Sequence, residues 1–480
     1  MAAGAGDAGL RLPLPDPDTD LISALPDELV QAILARLPST AAAARTSVLS
    51  RRWRRVWTLS FLVAEKRRLD AHSYTADAVD AALDAYSASA TLSRVTIDVH
   101  DPYASPPASR VEPWLRFASL RLSGELRLSL EGGAFQQTFL MDNRIQQLEL
   151  PAFERATRID LAGINCTLCL PPAGAFAALR VLSINVATLV RGDVGRLVSV
   201  QCPRLRDLEM CDVNIENGSL SMSAASLERL VLRRVSIGKE ERIDVAAPKL
   251  HYLALDNCGG RSAAATIATP MLGELIWNHA YDPSRHNITG ADRQIYRLVV
   301  TLWSNADLLK RFDAVDELCL RLCLPSKAEE YRKFLQDMNE LPKAKVLEVK
   351  RLSTKRHLEP TMLHLLRKHS RLTKIKVDLI PANLKETECP HGCSCVPPES
   401  CTADDVVLDW LEEVEISSFT GAPEDFELLK LLFRCKIKIR RLAIHTTRAI
   451  SLSQETQKRI WGLARPRCIN LEFEAMQFSR

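Results

Sequence analysis

An apolar residue followed by a second at +3 and a third at +5 recurs along the middle of this chain, and this repeat limits the fold more than any other feature. Leu179, Leu182 and Ile184 form one copy. Leu205/Leu208/Met210, Leu227/Leu230/Leu232, Leu250/Leu253/Leu255 and Leu272/Leu275/Trp277 follow it. Their first leucines lie 26, 22, 23 and 22 residues apart, inside the range of about 20–29 that suits a strand-based solenoid. Weaker copies stand upstream at Leu92/Val95/Ile97 and Ile145/Leu148/Leu150. Others stand downstream at Val315/Leu318/Leu320, Leu372/Ile375/Val377, Leu411/Val414/Ile416 and Ile439/Leu442/Ile444.

The +3 and +5 residues are two apart, so they share one side of a short strand. The residue between them faces the other way: Ser183, Glu209, Val231, Ala254 and Ile276. Strands of this kind stack into a parallel sheet on the concave side of a solenoid, each coil burying its apolar side only against its neighbours. Cys202-Pro203, Ala247-Pro248 and Thr269-Pro270 precede three of the copies and end the return segment before each. From about residue 295 the spacing lengthens and helices fill the returns. One is predicted over Ala328–Met338, with Tyr331, Phe334, Leu335 and Met338 on a common face. Pro360 opens another through Leu363, Leu366 and His369.

A different pattern occupies residues 21–59. Leu25-Pro26 leads into Leu29, Ile33, Leu34 and Leu37; Val48-Leu49-Ser50-Arg51-Arg52-Trp53 follows, then Trp57. Pro26 suits a first helical turn, Leu29, Ile33 and Leu37 share a helical face, and Pro38 stops that helix before Ser39 or Thr40 caps the next. Trp53 and Trp57 lie four apart on one face. So few residues cannot bury this much apolar surface alone, so the surplus meets a partner or the rest of the chain.

The order L-P-D-E-L, I-L-x-x-L-P and R-T-S-V-L-S-R-R-W-R resembles the plant F-box over nearly its whole length. The resemblance implies docking onto the Skp-type adaptor of a cullin-RING ubiquitin ligase. It maps Leu25, Pro26, Leu29, Ile33, Leu34, Leu37, Val48, Leu49, Trp53 and Trp57 onto the family's core and adaptor-facing positions. The repeats likewise look like the leucine-rich repeats that follow plant F-boxes. Further on, Cys393-Ser394-Cys395, Pro397-Pro398, Cys401 and the run from Leu411 to Ile444 resemble the FBD domain that ends many such proteins. There a strand at Leu411–Ile416, a turn at Gly421, a helix from Pro423 and a strand at Ile439–His445 are expected to close the open end of the solenoid. Glu424, Asp425 and Glu427 near the helix start, with Arg434 and Lys436 at its end, suit the helix dipole.

Charge and thiol content narrow the function. The formal net charge of +4 is too small to imply nucleic acid or a membrane surface, although residues 45–68 carry eight Arg or Lys against one Glu. No apolar run is long enough to span a bilayer. The start of the chain lacks the pattern of a signal peptide and reads as a disordered lead-in. Thirteen scattered cysteines then read as reduced thiols of the nucleus or cytoplasm, and Asn165, Asn217 and Asn287 as chance glycosylation matches. Cys389, His391, Cys393, Cys395 and Cys401 form the one dense set of candidate ligands, but their spacing strains a single tetrahedral zinc site. No phosphate loop or hydrolase motif is present, so no cofactor, metal or catalytic residue is expected.

The expected fold is therefore α/β. A lead-in at 1–20 and a helical F-box at 21–62 precede an irregular right-handed leucine-rich-repeat solenoid at 90–385, closed by an FBD-like strand–helix–strand unit at 389–470. The expected role is the non-catalytic substrate-recognition subunit of an Skp–cullin–F-box ubiquitin ligase. Its target, an unknown protein marked for degradation, would lie on Glu209, Val231, Ala254 and Ile276, with Asp207, Glu228 and Arg229 beside them. The alternative is a non-degradative scaffold or a nucleic-acid-binding solenoid.

Overall fold

The computed structural model describes Leu25, Leu29 and residues 68–73, 76–85, 91–99, 105–130, 146–171, 173–191, 194–216, 220–237, 242–259, 263–302, 305–312, 314–325, 327–351, 358–379, 405–446, 452–465 and 467–475. The lead-in, most of the F-box-like head and the segment from Cys389 to Cys401 lie outside the described residues.

Eighteen strands join in one sheet. Sixteen of them stack in chain order, each parallel to the next, from Arg68–Ser73 to Cys468–Ala475. The +3 residues of successive coils stand directly opposite one another. The row runs Val95, Leu126, Ile159, Leu182, Leu208, Leu230, Leu253 and Leu275. It continues through Leu298, Leu318, Leu347, Ile375, Val414, Leu442 and Leu471. Every member from Val95 to Leu442 is buried to within 2% of completeness. Each such side chain contributes roughly 1.5–3 kcal/mol by leaving water. A slip of one residue in any strand would turn its share of the row to solvent, so the row sets the register.

Two residues beyond the +5 position six coils turn left-handed, within the strand at Gly163, Val186 and Asp212 and just after it at Arg234, Asn257 and Ser418. All six have φ between 50° and 67° there. Glycine, Asn and Asp tolerate this region; a β-branched Val does not. Asp212 and Arg234 sit on adjacent coils and pair bidentately, with Nε–Oδ1 at 2.5 Å and Nη2–Oδ2 at 2.6 Å.

The return segments are of two kinds. Helices Ala76–Ala85 and Ala108–Arg121 back the first coils. Helices Ala306–Arg311, Ala328–Asp337, Glu359–Lys368, Pro423–Arg434 and Gln454–Ala464 back the later ones. Between these groups one return is a short helical segment, residues 194–201, and four are strands: Leu220–Ser223, Arg242–Ala246, Ala264–Ala268 and His286–Thr289 form a second parallel sheet. A coil of 22 or 23 residues leaves too few residues for a helix, which rises about 1.5 Å per residue, and extended chain at about 3.3 Å covers the same distance.

Most expected copies lie in the ladder, and both expected helices form, with Tyr331, Phe334, Met338, Leu363 and Leu366 buried. Three details differ. Leu148 belongs to the short strand Gln147–Glu149, which pairs with the far half of Arg158–Cys169 through Leu168; Leu126 and Leu128 hold the ladder position at that coil. The ladder also begins before residue 90, at Arg68–Ser73, and crosses 385–389 unbroken, because Lys374–Asp378 pairs directly with Glu413–Ser417. The strand–helix–strand unit continues the stack as further coils. A further helix, Gln454–Ala464, and strand, Cys468–Ala475, extend it.

Candidate interaction surfaces

Residues facing away from the buried row make the open face of the main sheet, and its charges are largely paired across strands. Arg229 and Arg233 approach Glu209 at 3.5 and 3.6 Å from the two ends of one strand. Arg229 also lies over the Tyr252 ring, 4.8 Å from its centroid. Further along, Glu348 accepts from Lys350 at 2.9 Å and Arg297 at 3.1 Å. Lys376 reaches Glu317 at 3.1 Å, Lys374 reaches Glu413 at 3.0 Å, and Arg441 reaches Glu472 at 2.6 Å. Arg321 stretches to Asp256 at 3.6 Å past two intervening strands.

These long side chains lie along the face and cover its floor. Of the four expected target contacts, Glu209 and Ile276 are half-buried, whereas Val231 is 0% and Ala254 1% exposed. Val231 and Ala254 therefore present no surface to a partner in this conformation; Arg229, Arg233 and Tyr252 stand over that region instead. All four lie on the side of the strand opposite the buried row, and alternation carries no information on what covers them. Asp207, Glu228 and Arg229 are half-buried beside them.

Near the start of the ladder the open face holds a groove of about 400 Å³ lined by Arg94, Thr96, Asp98, Glu125, Leu126, Arg127, Arg158 and Asp160. Its charges again pair: Arg94–Glu125 at 2.7 Å and Arg158–Asp160 at 2.7 Å. Among the ten expected adaptor-facing residues, Leu25 is half-buried and Leu29 is helical and exposed. Pro26, Ile33, Leu34, Leu37, Val48, Leu49, Trp53 and Trp57 lie outside the described residues.

Residues 22–62 match the F-box domain model. The chain is 30% identical over 250 residues to F-box protein At5g03100 of Arabidopsis thaliana, covering 50% of this chain and 70% of that relative. This chain belongs to the F-box protein family. It is also 28% identical over 258 residues to F-box/LRR-repeat protein 25 of the same plant, covering 51% of this chain and 88% of the relative. A third relative, F-box/LRR-repeat protein At2g42730, is 28% identical over 249 residues, covering 48% and 51%. F-box domains bind Skp-type adaptors of cullin-RING ligases, and F-box proteins with such repeats generally serve as the non-catalytic recognition part.

Five buried thiols among the described residues of this F-box protein are poorly suited to nucleophilic work. Burial pushes Cys202 and Cys319 up to about 12 and Cys166, Cys258 and Cys435 up to about 11, which leaves little thiolate at neutral pH. Among the described residues no group of three or more His, Cys, Asp or Glu is placed to hold a metal ion. No described helix is long and apolar enough to cross a membrane.

Proposed function

We propose that this chain is the target-binding subunit of an Skp–cullin–F-box ubiquitin ligase. The observation that carries the reading is the join of an F-box match at residues 22–62 to an unbroken ladder of sixteen strands that begins at Arg68. Leu25, Pro26, Leu29, Ile33, Leu34, Leu37, Val48, Leu49, Trp53 and Trp57 supply the adaptor-facing and core positions of the head. The solenoid holds a target protein, and the ligase's other subunits transfer ubiquitin to a lysine brought near. The chain's contribution is placement, which converts an encounter between separate molecules into a reaction within one assembly. The FBD-like region expected at 389–470 carries no chemistry of its own in this reading; its strands Glu413–Ser417, Ile439–Thr446 and Cys468–Ala475 lengthen the ladder. The site of action is the nucleus, the cytoplasm or both.

The test is co-purification of the full chain with a Skp-type adaptor in moderately high salt, beside a Pro26→Ala/Trp53→Ala double variant. An apolar interface tolerates such salt, whereas phosphate binding through the basic run at 45–68 weakens steeply. Stable capture by the parent and loss by a still-folded variant supports the reading. A folded parent that captures no adaptor overturns it and favours the scaffold or nucleic-acid alternative.

A further inference from the structure

The open face is filled by its own paired side chains, but the rim where the strands begin is not. The turn before each strand and the residue just inside it form this rim. Its order is fixed by backbone hydrogen bonds: the Arg206 N–H donates to Arg180 at 2.8 Å, Glu228 to Arg206 at 2.8 Å, His251 to Glu228 at 3.0 Å and Gly273 to His251 at 2.9 Å. Tyr296 follows Gly273 on the next strand, because Glu274 pairs with Arg297. Arg204, Lys249 and Met271 occupy the turns two residues before Arg206, His251 and Gly273.

Two observations mark this rim as a docking surface. Arg180, Arg204, Arg206 and Lys249 are all exposed. Arg180, Arg204 and Lys249 make no ion pair among the described residues, and Arg206 pairs with Glu228 at 3.7 Å while staying exposed. Beside them, large apolar side chains stand in water. Nine such residues are exposed among the described residues; Met271 at 62% and Tyr296 at 56% end this basic row, and Trp410 at 66% and Ile469 at 72% stand on the same edge of later coils. Isolated exposed apolar residues are ordinary; their concentration along a single line is the mark of a contact surface.

We infer that the rim from Arg180 to Tyr296 binds an extended protein segment that is acidic at one end and apolar at the other. Acidic side chains meet Arg180, Arg204, Arg206 and Lys249, and a large apolar residue rests against Met271 and Tyr296. Five strand steps of about 4.8 Å separate Arg180 from Tyr296, so the path is about 24 Å, or about seven residues of extended chain. A peptide fits better than a nucleic acid: Glu228 interrupts the positive row, and the apolar pair at its end has no counterpart in a uniform line of phosphates. The inference rests on the solenoid being the target-binding part of the chain.

The experiment uses the full chain and a fluorescent synthetic peptide of six glutamates followed by tryptophan and leucine. A thymidine oligonucleotide of equal charge and a six-lysine version of the peptide serve as comparators. Two variants accompany the parent, Arg180→Glu/Arg204→Glu/Lys249→Glu and Met271→Ser/Tyr296→Ser, both at exposed positions and both checked by thermal melting. The expected result is binding of the acidic peptide by the parent, weakened about tenfold or more by charge reversal and several-fold by the apolar change, with less salt dependence in the reversed variant. No peptide binding by a folded parent, equal binding by parent and reversed variant, or tighter binding of the oligonucleotide or the six-lysine peptide each overturns the rim. Adaptor capture is read on the same samples. Peptide binding lost with adaptor capture kept removes the rim and leaves the ligase reading; the converse removes the ligase reading alone.

Discussion

Arg297 reaches over a whole strand to Glu348. Its Nη2 lies 3.1 Å from Oε2, although Ala314–Leu322 runs between their two strands. The pair bridges Cys319, which is 1% exposed beneath it. Burial alone would raise the pKa of the Glu348 carboxyl, but the Lys350 hydrogen bond and the charges of Lys350, Arg297 and Lys376 outweigh it and hold the group below its ordinary value.

Replacing Glu348 with Ala removes a partner of the half-buried Lys350 and the nearer partner of the half-buried Arg297, which keeps Glu317 at 3.8 Å. The expected loss is about 1.5–3 kcal/mol, the usual range for a charged hydrogen bond, measured as a lower urea midpoint with unchanged slope. Because the folded pKa is depressed, the pair's contribution is complete above the ordinary value of 4.5 and is lost as pH falls through the folded value. A variant as stable as the parent at neutral pH contradicts this account.

Val186 has φ 54° where neighbouring coils use Gly163, Asp212 and Asn257. Left-handed backbone costs an ordinary side chain about 1–2 kcal/mol, and Asn relieves part of it. Val186→Asn is expected to stabilise the chain by about 1 kcal/mol, seen as a raised melting temperature. An unchanged or lowered value shows that the half-buried isopropyl group contributes more than the strain.

Four histidines sit in the body of the solenoid and resist protonation. Burial takes His279 and His369 down to about 4 and lowers His286 and His364 as well. The geometry around His286 agrees: Nδ1 accepts the Asp282 N–H at 2.9 Å while Nε2 stands 3.0 Å from the Ala263 carbonyl, an arrangement for a neutral ring. Unfolded histidines take up protons near 6.5, which the folded ones refuse, so stability is full above that pH and falls as pH drops toward 4. Thermal melts at intervals from neutral pH to about 5 check this; a flat melting temperature over that span would contradict it.

Asp425 organises the loop before its helix. One carboxylate oxygen accepts from Thr420 N and Oγ1 at 2.8 Å each, from Gly421 N at 3.0 Å and from Ala422 N at 3.3 Å. Asp425→Ala removes the acceptor of Thr420 and Gly421, while the Ala422 N–H keeps Thr420 Oγ1 at 3.3 Å; the cost is about 1–3 kcal/mol, and Asp425→Asn recovers part of it. Local hydrogen exchange at Gly421 and Ala422 should rise in the Ala variant. Protected amides at those positions would show the loop to be held by other contacts.

Much of the ladder was legible because a leucine or another bulky residue opened the repeat. The same signal passed unread where that opening residue is small, and also at Ile295/Leu298/Val300, where it is bulky. Ala156/Ile159/Leu161, Ala344/Leu347/Val349 and Cys468/Leu471/Phe473 all keep the +3 and +5 spacing, and all lie in register. At Leu122 the register itself shifts between Leu92 and Arg94 on the facing strand, so no fixed spacing finds Leu126 and Leu128. The open face was legible only in orientation. Val231 and Ala254 point outward as alternation requires, yet what covers them comes from Arg229, Arg233 and Tyr252 on the same and neighbouring coils, and pairings across coils have no trace in local sequence. The basic, apolar-studded rim could have been found by reading the turn residues of successive repeats as a column.

The change from helical to extended returns has a geometric outcome. Packed helices stand about 8–10 Å apart, twice the spacing of about 4.8 Å between strands. Coils backed by helices are wedges, broad outside and narrow inside, and stacking wedges bends the stack. Coils backed by strands have equal width on both sides and stack as slabs. Strand-backed returns from Leu220 to Thr289 therefore remove that source of bending from this part of the stack.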